Sequence, residues 1–131
     1  MEGEVTYPLG PDAFGYIMYS ADGHVSVNIS TANRPSFRSG DLLSGSVQEQ
    51  AAAAQTYVSY CGTYEVSQGK VVHRVEASLF PNWAGSEQER YYAFEGDRLT
   101  LSTGPMLLGG RQRRAFLTWE RVSSHQMEPA L

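Results

Sequence analysis

Residues 57–79 read YVSYCGTYEVSQGKVVHRVEASL, and this stretch decides the fold. Tyr, Val and Thr dominate it, as strands prefer, and Gln68-Gly69 sits in the middle as a two-residue turn signal. With that pair as the loop, Val66 faces Val71, Tyr64 faces His73, Gly62 faces Val75, Tyr60 faces Ala77 and Val58 faces Leu79. Ser59, Cys61, Thr63, Glu65, Arg74, Glu76 and Ser78 then share the other face. A loop one residue longer sets Glu65 against Val71 and mixes the faces, so the shorter loop is preferred.

Two further hairpins flank this one. With Gly96-Asp97 as the loop, Phe94 faces Leu99, Tyr92 faces Leu101 and Arg90 faces Thr103. With Asp22-Gly23 as the loop, Met18 faces Val27 and Tyr16 faces Ile29, which puts Tyr19, His24, Ser26 and Asn28 on the opposite side. A last strand near 113–122 and a short first one near 5–7 bring the count to about eight in up-and-down order, which predicts an all-β antiparallel barrel. The tight turns fall at one end and the long connections 31–54, 81–88 and 104–112 at the other, which is the expected mouth. One short helix is predicted inside the first long connection, because Ser46 and Glu49 have capping-box spacing ahead of Ala51, Ala52, Ala53 and Ala54. It reads either as a lid or as a plug that completes the core.

The 131 residues fit one domain, 1–131. A single cysteine excludes an internal disulfide, and three histidines with that cysteine show no zinc-ligand spacing. A formal charge of −4 argues against a nucleic-acid partner. Arg111, Arg113, Arg114 and Arg121 read as a solvated strand edge rather than a phosphate site. With no apolar run of membrane-span length and no apolar leader, the expectation is a soluble cytoplasmic protein without a membrane partner.

The segments YPLGPDAFGYIMYSADGHVSV (7–27), SYCGTYEV (59–66), HRVEASLFPNWAGSEQERYY (73–92) and GDRLTLST (96–103) resemble the bacterial and fungal lipocalin-like domain family. The resemblance covers most of the chain. It implies a calycin-type barrel, in agreement with the hairpins, and a cavity for a small, mostly apolar molecule. Family members usually carry a Gly-Thr-Trp-like strand ahead of the Tyr-Pro-Leu-Gly segment, whereas only six residues precede Tyr7 here. The first barrel strand is therefore expected to be missing or shortened, and the exposed edge to pair in a homodimer. The alternative is that Met1 is not the native start.

The registers assign the candidate site. Tyr16, Tyr60, Tyr64, His73, Arg90 and Tyr92, with Thr103, are expected to face inward as ligand-binding groups. A core built for stability alone uses aliphatic side chains, so these polar groups point to a lined cavity, set against a filled core whose hydroxyls bond one another. His73 carries a proton at neutral pH, with Tyr64 opposite it as partner, while Glu76 points away. Arg90 is expected at the mouth, facing a ligand carboxylate or enolate or paired with Glu87 or Glu89. Trp83, in the loop after Pro81, caps the core or anchors a lid. No G-x-S-x-G or phosphate-cradling loop is present. The first expectation is a binding module for a small apolar or aromatic molecule, without cofactor or metal. The alternative is a cofactor-free isomerase, cyclase or dehydratase in which His73 and Tyr64 are catalytic. A third possibility is a ligand-free protein whose outer face makes a dimer.

Overall fold

A computed structural model describes residues 7–122. Over these residues the fold is all-β and antiparallel, with one short α-helix. Its strands are β1 (Phe14–Tyr19), β2 (His24–Ser30), β3 (Tyr57–Ser67), β4 (Lys70–Ser78), β5 (Glu87–Glu95), β6 (Arg98–Ser102), β7 (Met106–Leu108), β8 (Arg111–Arg113) and β9 (Phe116–Glu120). Helix α1 spans Val47–Gln55. One seven-stranded sheet runs β1-β2-β3-β4-β5-β6-β9, in the expected up-and-down order, and β7 pairs with β8 separately. The expected strand near 5–7 lies outside the described residues apart from Tyr7, which is in no strand.

The β7–β8 hairpin corrects the expectation that 104–112 is only a connection. Gly109 and Gly110 both take positive φ, 63° and 81°, and close Leu108 against Arg111 as a two-residue turn. The Gly-Gly pair was the available signal.

Contacts divide the described residues into two compact units, 7–65 with 73–88 and 66–72 with 89–122. The core of the first holds Val25, Val27, Ile29, Tyr60, His73 and Val75, all buried. In the second, Val71, Leu101 and Thr103 are buried.

The Gly96-Asp97 hairpin has the expected register, with Phe94 opposite Leu99 and Tyr92 opposite Leu101. The Gln68-Gly69 loop also holds: β3 ends at Ser67, β4 starts at Lys70, and Gly69 takes φ 78°. Gly62 lies against β4, where a Cβ would stand 1.9 Å from the Arg74 carbonyl oxygen. Farther from the turn the register slips. Leu79 N–H bonds the Ser59 carbonyl at 2.8 Å, one residue away from the expected pairing. Glu76 and Ala77 are both exposed in succession, the mark of a β-bulge, so Tyr60 faces Ser78 rather than Ala77.

The first hairpin differs from expectation throughout. Tyr19 pairs with Val25, Ile17 with Val27 and Gly15 with Ile29, one residue out from the Asp22-Gly23 reading. Ser20 N–H bonds His24 C=O at 2.9 Å and Gly23 N–H bonds Ser20 C=O at 3.1 Å, with Gly23 at φ 93°. This is a three-residue loop ending on a left-handed glycine, which Ala21-Asp22-Gly23 suits. A one-residue slip exchanges the faces of a strand. Tyr16 is consequently 61% exposed, with Phe14 and Met18 beside it on the outer face, and Tyr19 turns inward.

Helix α1 forms as predicted. Ser46 Oγ accepts from Glu49 N–H, Glu49 accepts from Ser46 N–H, and Arg38 N–H also donates to the Glu49 carboxylate. None of its residues is buried, so it is not a plug in the core.

Candidate functional site

His73 leaves β4 on the buried face of the first unit and has no exposed surface. A buried imidazole is costly unless both nitrogens are bonded. Tyr60, from β3, places its hydroxyl 2.7 Å from Nδ1, and Tyr19, from the end of β1, places its hydroxyl 2.7 Å from Nε2. A phenol hydroxyl donates or accepts, so these two neighbours serve either tautomer of a neutral ring. The arrangement is a phenol–imidazole–phenol chain that can pass a proton along its length.

Aromatic rings enclose it. Tyr64 meets the Tyr19 ring edge-on at 4.8 Å between centroids, and Trp83 meets Tyr60 edge-on at 5.7 Å. Trp83 closes a single 3-10 turn, Pro81–Trp83, and also packs edge-on against Phe80 at 5.5 Å. Its carbonyl accepts from Ser86 Oγ at 2.6 Å, which holds the turn against β4 together with the bond from Gly85 N–H to Val75 C=O at 2.8 Å.

The sequence-predicted residues are partly assembled here. His73 and Tyr60 meet as neighbours. Tyr64 is half-buried, but its hydroxyl donates to Ser20 C=O at 2.8 Å; Tyr19 and Tyr60, not Tyr64, bond His73. Tyr16 lies on the outer face for the register reason given above. Tyr19 was missed; the three-residue loop pattern was the signal for it. Arg90 and Tyr92 belong to the second unit. Arg90 is half-buried and its Nη1 donates to Glu89 C=O at 3.0 Å. Tyr92 donates to Ser67 C=O at 3.3 Å and packs on Phe94. Buried Thr103 accepts from Ala115 N–H at 2.9 Å, which ties β6 to the start of β9.

Cys61, Glu65, Arg74 and Glu76 are exposed, as expected. Arg74 bridges Glu65 at 2.8 Å and Glu87 at 3.2 Å; its hydrogen bond holds the Glu65 carboxyl below the usual range. A surface cleft of about 270 Å³ lies away from His73, with Met18, Ser20, His24, Ser26, Cys61 and Glu76 in its wall. Among the described residues no cluster of His, Cys, Asp and Glu could hold a metal, and no helix is long and apolar enough to cross a membrane.

A family model of the lipocalin-like domain matches residues 1–122. The 4'-hydroxy-3'-methoxypropiophenone carrier protein ppsC of Aspergillus oryzae is 36% identical over 107 residues, which span 75% of this chain and 96% of the carrier. A match of that extent, on a chain of up-and-down antiparallel strands, makes this protein a member of the lipocalin-like domain family.

Proposed function

We propose that the protein carries a small, mostly apolar aromatic molecule, and that Tyr19, His73 and Tyr60 form the polar end of its site. One observation carries the reading: a fully buried imidazole is bonded to two phenols inside a core that is otherwise mainly Val and Ile. Apolar walls with a few placed polar groups are how small-ligand sites are built. The carrier relative supports the reading, since its cargo is an aryl ketone that also bears a phenol. A chain that donates from one end in either tautomer suits a ketone or phenol oxygen. In this reading residues 1–131 act as one domain, and the free, exposed Cys61 suits a reducing, cytoplasmic setting.

Calorimetric titration with 4'-hydroxy-3'-methoxypropiophenone, with native mass spectrometry of freshly purified protein, tests it. Binding at one molecule per chain is expected, with His73→Phe costing about 1–2 kcal/mol of affinity. No binding and no retained small molecule overturns the proposal.

A second reading rests on the same two 2.7 Å bonds, which link a proton carrier to two phenols. It is a cofactor-free isomerase, cyclase or dehydratase with His73 as acid–base group and Tyr19 or Tyr60 as its partner. Product formation abolished by His73→Phe distinguishes it from carriage.

The exposed face of β1 supports a homodimer. β1 stands at one end of the strand order, carries no charge, and presents Phe14, Tyr16 and Met18 to solvent. Edge strands without charge or proline invite pairing.

A further inference from the structure

We propose that the Ser78 hydroxyl is a second ligand anchor, reading an oxygen substituent at the end of the bound molecule opposite the His73 cluster. The inference rests on the binding reading above and adds a specificity residue to it.

Simple alternation along β4 turns Ser78 outward. The bulge at Glu76 and Ala77 reverses that, and the Leu79–Ser59 main-chain bond sets Ser78 across from Tyr60 on the buried face. Its Oγ is buried and, among the described residues, no group bonds it. Such a hydroxyl costs free energy in the empty protein, and an alanine at the position would avoid that cost. Bulges recur beside binding sites because they re-aim one side chain. Here the re-aimed atom is polar and unmatched, which is the condition of a group kept for a ligand.

The class of ligand follows from the binding reading, whose carrier relative takes an aryl ketone that also bears a phenol. Tyr60 joins the two anchors: its hydroxyl bonds His73, and its main chain lies opposite Ser78. Trp83 packs edge-on against the Tyr60 ring at 5.7 Å between centroids. In the proposed pose a flat aromatic molecule lies along Tyr60, with one polar end toward the phenol–imidazole chain and the other toward Ser78. The site therefore selects aromatic molecules with hydrogen-bonding oxygens at both ends over those with one.

The test compares wild-type protein with Ser78→Ala. The melting temperature of the free protein is measured, together with the affinities for 4'-hydroxy-3'-methoxypropiophenone and three analogues that lack the hydroxyl, methoxy or ketone oxygen. Ser78→Ala is expected to hold or raise the melting temperature and to weaken the parent probe about tenfold. For the one analogue lacking the matched oxygen, the two proteins should bind alike. A lower melting temperature with unchanged affinities assigns Ser78 a structural role and overturns the anchor. Equal affinities of both proteins for all four probes overturn the anchor and leave carriage standing. If wild-type protein binds none of the four, carriage fails and the anchor with it.

Discussion

Tyr19 Oη stands 2.7 Å from His73 Nε2 although 54 residues separate them in the chain. That bond exists only because the first hairpin turns through three residues. It ties the end of β1 to the buried face of β4.

Tyr19→Phe should therefore destabilise the fold by about 1–3 kcal/mol, the cost of leaving a buried ring nitrogen unmatched. Tyr16→Phe, on the exposed side of the same strand, should stay within about 0.5 kcal/mol of wild type. Urea denaturation of the two variants checks the register directly; the opposite order of effects would restore the two-residue loop.

Gly62 admits no side chain. Its Cβ would meet main chain, the Arg74 carbonyl at 1.9 Å, and main chain cannot rotate aside. Gly62→Ala is expected to lose about 1–3 kcal/mol or more. Gly40→Ala, where nothing lies within 4 Å, serves as control and should be close to neutral in thermal melts.

The capping box sets a pH dependence for α1. Hydrogen bonds from Ser46 N–H and Arg38 N–H hold the Glu49 carboxyl below its ordinary 4.5. A carboxyl lowered by folding stabilises above its unfolded pKa, and the effect is lost as pH falls through the lowered folded value. The amide resonances of Ser46 and Arg38 should titrate together, with a midpoint below 4.5. Glu49→Gln should remove that titration.

Sedimentation at micromolar concentration should show a dimer if β1 is its seat. Met18→Lys, placing a charge on the exposed face beside Tyr16, should convert it to monomer without lowering the thermal midpoint. A wild-type monomer, or a dimer untouched by the substitution, rules out this edge.

Much of the fold is legible in the sequence because local chemistry decides it. Gln68-Gly69 and Gly96-Asp97 close their hairpins as two-residue loops, with the glycines at positive φ. Ser46 and Glu49 cap α1 because both partners lie within one turn. Along β3 and β4, Tyr60 and His73 turn inward and Cys61, Arg74 and Glu76 outward, because apolar and polar residues alternate there.

The site was legible only in part. β1 reads FGYIMY, with large apolar groups on both faces, so cross-strand matching accepts either register and cannot choose between Tyr16 and Tyr19. The choice falls to the conformation of Ala21-Asp22-Gly23 and to the buried Nε2 of His73, which only the assembled unit brings within reach of Tyr19. Ser78 is a similar case. A bulge adds one residue without leaving a pattern in composition, and main-chain pairing with Ser59 re-aims the side chain. Sequence by itself determined the strands from β1 to β6, the Gln68-Gly69 and Gly96-Asp97 turns, the capped helix and that His73 lies inside. Tertiary structure alone decided which phenols meet its ring, because a period of two amplifies a one-residue difference in a loop into a complete exchange of faces.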